Sequence, residues 1–119
     1  MDKPGYYQGR PYSDYDKELK AFAKAKQLDE LEALLLHLLD AIEASDSWAG
    51  DKLGVPPGYY DELAEIYHKQ QNYVAEVALY ERFFRQIQLP NTTHDAMQKR
   101  LQHMNAAKKL LKEALRESK

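Results

Sequence analysis

The sequence predicts an all-α fold: two stacked helical hairpins of one design, closed by a C-terminal capping helix, about five helices in a single domain. Three observations carry this. Leu and Ala together number 30 while Val, Ile and Thr number 8, a surplus of helix formers over β-branched residues. Apolar residues recur with helical spacing in successive segments separated by turn residues. The chain also matches itself at an offset of 45 residues. A length of 119 residues leaves room for one domain, and 44% hydrophobic with 30% charged residues is a globular balance rather than a disordered one.

The first helix is expected to begin near Ser13, whose hydroxyl is placed to accept from the free N–H groups of the first turn. Asp14 and Asp16 suit the positive end of its dipole. Tyr15, Leu19, Phe22 and Ala23 then share a face. The chain turns at Lys26-Gln27. A second helix opens at Asp29, an acceptor placed to cap, and runs to about Ser45. Leu28, Leu35, Leu39 and Ile42 form one stripe, and Leu31, Leu34 and Leu38 form another. A helix with two apolar stripes is covered on two sides. Residues 46–58 contain Gly50, Gly54, Pro56, Pro57 and Gly58, which is loop chemistry, and Trp48, the single tryptophan.

A third helix is expected over about 59–70, with Leu63, Ala64, Ile66 and Tyr67 inward. Gln71-Asn72 makes the turn. The fourth covers about 73–88, with Tyr73, Val77, Tyr80, Phe84 and Ile87 on one stripe, and Pro90 ends it. Asn91-Thr92-Thr93 offers a cap for the fifth, over 92–117, whose apolar stripe is Met97, Leu101, Met104, Leu111 and Leu115. The chain thus divides into an N-terminal aromatic segment (1–12), a first hairpin (13–45), a loop (46–58), a second hairpin (59–89) and a basic helix.

At the 45-residue offset, Gly9, Pro11, Tyr15, Asp16, Lys24, Ala33, Leu34 and Ile42 meet Gly54, Pro56, Tyr60, Asp61, Lys69, Ala78, Leu79 and Ile87. Apolar also meets apolar at the expected core sites: Phe22 with Tyr67, Leu28 with Tyr73, Leu35 with Tyr80, Leu38 with Phe83, Leu39 with Phe84. Two copies of one hairpin is the simplest account. In the second copy, Leu63, Ala64, Tyr67 and Tyr80 stand at the spacing of a tetratricopeptide repeat, and the segment 59–82 resembles that family. The first copy resembles it in outline, through Leu19, Phe22 and Leu35. Glu76 and Phe83 stand where the family places small residues, and Gln71 replaces its turn glycine. The resemblance implies hairpins piled into a right-handed superhelix, with the last helix covering Leu79 and Phe83.

Cysteine is absent, which excludes disulfides and Cys-ligated metal sites. The longest apolar run is far short of a membrane span, and the N-terminus lacks the apolar stretch of a signal peptide. A cytoplasmic location with no membrane partner is the expectation. His37, His68, His94 and His103 show no helical ligand spacing, no phosphate-cradling glycine loop occurs, and the few serines read as caps or loop residues. Paired acids such as Asp14 with Asp16 and Asp61 with Glu62 sit at helix starts, where the dipole explains them. Neither an enzyme nor a bound cofactor or metal is expected.

Charge is unevenly placed. Residues 1–95 carry 10 Lys and Arg against 17 Asp and Glu, and residues 96–119 carry 7 against 2. The acidic body and basic tail attract each other, or the tail attracts something acidic outside. Nine tyrosines are present. Those near the hairpin starts, with Trp48, either line an aromatic contact surface or close the hairpin ends over the core, and both readings stay open.

The expected function is that of an adaptor, a non-catalytic module that binds a segment of another protein. The family's groove positions, carried onto this chain, are Asp16, Lys20 and Lys24 from the first helix and Asp61, Glu65, His68 and Lys69 from the third. Trp48, Tyr59 and Tyr60 would add an aromatic surface. Asp16 and Asp61 stand where the family's carboxylate clamp has its first lysine, so binding of a chaperone-type C-terminal tail is not expected. Two alternatives remain. The segment YYDELAEIYHKQQNYVAEVALYERF also resembles helical modules appended to bacterial proteins, some of which handle DNA. In that case Lys109, Lys112 and Arg116, which share one face, would contact nucleic acid. Or the apolar faces serve self-association into a homo-oligomer.

Overall fold

The computed structural model describes residues 4–48, 57–86 and 94–117. It is all-α apart from one small hairpin, with five helices: α1 (Asp16–Lys24), α2 (Leu28–Trp48), α3 (Gly58–Lys69), α4 (Tyr73–Phe84) and α5 (His94–Glu117). Most of the expected loop, residues 49–56, lies outside the described residues. So do Ile87, Pro90 and the expected cap Asn91-Thr92-Thr93.

The N-terminal aromatic segment forms strands β1 (Tyr6–Tyr7) and β2 (Arg10–Pro11), paired antiparallel. Gln8 and Gly9 join them with φ of +51° and +78°, the sign that mirror-image hairpin turns require. The hairpin is anchored on α2. The Gly5 N–H donates to the Ala41 carbonyl at 3.0 Å, and the Tyr7 ring stacks on His37 with centroids 4.7 Å apart. The Tyr15 hydroxyl donates to the Tyr7 carbonyl. A side chain at Gly5 would meet Ser45 at 3.2 Å, so glycine permits the close approach.

A short 3-10 turn, Tyr12–Tyr15, leads into α1. Because Pro11 opens that turn, Ser13 sits inside it and caps neither it nor α1. Asp29 likewise does not cap. The second helix begins one residue earlier, at Leu28, which leaves Asp29 in the first turn as a charge favourable to the dipole. Asn72 does cap α4, accepting from the Ala75 N–H at 3.3 Å. The second helix also runs past Ser45, to Trp48.

The two hairpins turn in the same way. In the first, the N–H groups of Ala25, Lys26 and Gln27 donate to the carbonyls of Ala21, Ala23 and Phe22. In the second, Gln70, Gln71 and Asn72 donate to Ile66, His68 and Tyr67. Each residue stands 45 positions after its counterpart. The bonds from Gln27 to Phe22 and from Lys26 to Ala23 are the crossed pair of a Schellman ending, which needs a left-handed residue at its centre. Lys26 and Gln71 supply it, both at φ +57°.

The core runs through α2 and α3. Leu35, Leu38, Leu39, Leu63 and Phe83 are fully buried, each contributing roughly 1.5–3 kcal/mol by removal from water. Both stripes of α2 are buried except at exposed Leu28, and the helix packs against both α1 and α3. Of the face expected for the first helix, Ala23 is exposed while Leu19 on α1 and Tyr15 at the end of the 3-10 turn are buried. Tyr60 also departs from the surface reading: it is 2% exposed, and its hydroxyl donates to Glu43 at 2.6 Å. Glu43 in turn receives Arg82, from Nε at 2.7 Å and Nη2 at 3.0 Å, so one carboxylate joins α2, α3 and α4.

The fifth helix packs on α4, along a stripe that shares Met97 and Met104 with the one expected and departs from it at Leu101 and Leu115. Met104 and Ala107 are buried and Met97 is partly buried against the core, while Leu101 is 38% and Leu115 59% exposed. Arg100 occupies the inward position beside Met97 and Met104. Its guanidinium lies 5.3 Å from the centre of the Phe83 ring and is held by Asp61, through Nε at 2.9 Å and Nη2 at 2.7 Å. That bidentate, charge-assisted pair ties α5 to α3 with a charged residue on the inward face of the helix.

Candidate functional site

A groove of about 440 Å³ lies between α3 and α5, over α4. One wall is Asp61, Ala64, Glu65 and His68 of α3, at helical spacing that places them on one face. The facing wall is Ala96, Lys99, Arg100, His103 and Ala106 of α5, and Glu76 and Tyr80 of α4 lie between. The volume suits a side chain or a short segment rather than a flat contact.

Glu76 is the unusual member, 3% exposed and the one buried charged residue among those described. The sequence resemblance expects a small residue here. The carboxylate instead pairs with His68 Nδ1 at 3.1 Å, and the exposed His68 ring stands edge-on to Tyr73. The remaining charges of the walls are largely paired. Asp61 is held by Arg100, and Glu65 meets Lys69 at 3.0 Å one turn on. Burial first, then the nearby Glu76 and Asp61 charges, pushes the Tyr80 phenol up to about 12. It therefore stays protonated at neutral pH, and the residue lines the groove floor.

The expected contacts thus separate into two groups. Asp61, Glu65 and His68 come together in the groove, with Lys69 at its edge through Glu65. Asp16, Lys20 and Lys24 are exposed on α1 and line no part of this groove. The expected cleft between the first and third helices is instead occupied at one end by aromatic packing. The rings of Tyr12 and Tyr59 meet edge to face at 5.7 Å. Burial and then Asp16 hold the Tyr59 hydroxyl above its ordinary range. Burial, followed by Glu65 and Asp16, does the same to the Glu62 carboxyl. Tyr59 is half-buried, Tyr60 belongs to the core, and the Trp48 side chain lies outside the described residues.

Sequence reasoning missed Glu76, Tyr80, Lys99, Arg100, His103 and the alanines as groove residues. One signal was available: a carboxylate at a position the repeat pattern reserves for a small core residue. On the distal half of α5, Lys109, Lys112 and Arg116 are exposed, and none has an ion pair among the described residues. Among the described residues no group of three potential metal ligands occurs, and no helix is long and apolar enough to cross a membrane. Comparison with protein-family models, curated proteins and solved structures finds no match.

Proposed function

We propose that this chain is a non-catalytic interaction module that receives a segment of another protein in the groove between α3 and α5. The observation that carries the reading is the groove itself, an apolar-walled recess of about 440 Å³ with one buried carboxylate inside it. The tetratricopeptide-like reading of the sequence supports the same side of the molecule. There the first helices of successive pairs form the peptide-binding face, and α3 and α5 would hold those two places. The residues present favour holding over reacting: the paired Asp61 and Arg100 and the protonated Tyr80 supply hydrogen bonds and shape but no activated nucleophile.

The test is selection from a displayed random-peptide library, followed by affinity measurement on the purified chain. Ala106 is exposed and lines the groove, so Ala106→Trp fills the recess without disturbing the core. Peptides that bind the wild type and weaken by about tenfold or more on Ala106→Trp are expected. Peptides indifferent to that substitution, or none at all, overturn the reading.

A second reading rests on the exposed cations of distal α5. Lys109, Lys112 and Arg116 would contact phosphates of a nucleic acid. Titration against duplex and single-stranded DNA at two salt concentrations tests it. Affinity that falls steeply with salt supports it, and no binding at low salt removes it.

A further inference from the structure

We infer that the groove receives a basic side chain, lysine or arginine, of the partner segment and seats its cationic head on Glu76. This rests on the groove reading above and adds the chemistry of the occupant. A carboxylate presents about four acceptor positions. Among the described residues the Glu76 carboxylate has a single hydrogen-bond partner, His68 Nδ1, although the side chain is 4% exposed. A buried carboxylate is costly until it is both paired and hydrogen-bonded, so the most favourable arrival is a group rich in N–H donors and positively charged. The side chains already present do not fill that role. Arg100 is turned to Asp61, which takes its Nε and Nη2, its buried Nη1 has no hydrogen-bond partner and does not reach Glu76, and Lys99 is exposed. The groove walls suit the rest of a basic residue: Ala64, Ala96, Ala106 and the Tyr80 ring offer apolar surface to a methylene stem. A neutral side chain of the same length would leave the carboxylate with His68 as its one side-chain partner, and an acidic one would bring a second negative charge beside it. The same carboxylate therefore gives discrimination as well as affinity.

Two experiments separate this inference from the groove reading. The first uses defined probes, N-acetyl-lysine methylamide and its norleucine counterpart, titrated into the ¹⁵N-labelled chain and followed by NMR. Saturable shifts at the amides of His68, Glu76 and Tyr80 are expected for the lysine compound, with binding about tenfold weaker for norleucine and for lysine on Glu76→Gln. Equal binding of the two compounds, no shift, or indifference to Glu76→Gln overturns the inference. Glu76→Gln preserves shape and removes a buried charge, and an unchanged circular dichroism spectrum confirms its fold. Lys99→Ala should leave lysine affinity equal or higher, and a loss there would move the site to the α5 wall.

The second takes the peptides selected against the groove. A shared Lys or Arg, whose replacement by norleucine weakens binding only when Glu76 is present, supports the inference. Groove-dependent peptides without a basic residue overturn it while the groove reading stands. Light scattering supplies the remaining outcome: a dimer dissolved by Glu76→Gln would assign the seat to the basic tail of a second copy and overturn the separate partner.

Discussion

Lys26 and Gln71 stand 45 residues apart and share one backbone conformation, left-handed with φ of +57°. Each closes a Schellman ending that turns the chain from the first helix of a hairpin into the second. The geometry is one that glycine adopts without cost, whereas a residue with a Cβ is strained there by roughly 1–2 kcal/mol. Glycine loses more entropy on folding, which offsets part of the gain. Lys26→Gly and Gln71→Gly are each expected to stabilise by about 0.5–1 kcal/mol, and Lys26→Ala and Gln71→Ala are not. Urea midpoints at equal m-values measure this.

Phe83 is 1% exposed and lies between the rings of Tyr60 and Phe84, at 5.1 and 5.5 Å, with the Arg100 guanidinium over its face. Truncation removes contacts to α3 and α5 at once, as well as to its own helix. Phe83→Ala should cost about 3–5 kcal/mol, read as a lower denaturation midpoint. An unchanged midpoint would show that α5 does not seal the second hairpin.

Arg82 grips Glu43 and Asp40 across the junction of the two hairpins, with Arg82 and Glu43 side chains 24% and 21% exposed. Removing the cation leaves the half-buried Glu43 carboxylate with the Tyr60 hydroxyl as its hydrogen-bond donor and no paired charge from Arg82. Arg82→Met is therefore expected to cost about 2–3 kcal/mol, below the roughly 3–5 kcal/mol of a fully buried pair. In the double variant with Glu43→Gln the loss should be smaller than the sum, and a double-mutant cycle measures that coupling.

Glu62 gives a pH dependence whose sign follows from its surroundings. Burial, then Glu65 and Asp16, raise its carboxyl above the ordinary 4.5. The folded state therefore holds the proton more tightly, so stability declines as pH rises from the ordinary value through the raised one and is level above it. Glu62→Gln should stabilise at neutral pH, by less than about 1 kcal/mol because the group is only half-buried and solvent screens its neighbours. The gain should vanish below pH 4.5. Midpoints measured across that range show whether it does.

Helix identity was legible because it depends on local spacing. Leu31, Leu34, Leu35, Leu38, Leu39 and Ile42 all read as buried, and all are. The paired turns were legible for the same reason, since the offset that aligns Lys24 with Lys69 also aligns the helix ends. The small hairpin at Gln8-Gly9 carried the signal of a residue before glycine between two strand-forming pairs, yet its two-residue strands are too short for alternation to show.

The groove was only half legible. Asp61, Glu65 and His68 share a face of one helix, which spacing reveals. Their partner across the recess depends on how α5 is rotated on α4. Arg100 faces inward there and pairs with Asp61 39 positions away, whereas periodicity assigns a charged residue outward by default. Glu76 is inside for the complementary reason: the carboxylate meets His68 across the hairpin. Local sequence therefore dictated the helices, their turns and their apolar faces, because those follow from neighbours within one or two turns. The fold alone chose which faces meet and which charges are buried, because those follow from pairings between residues far apart in the chain.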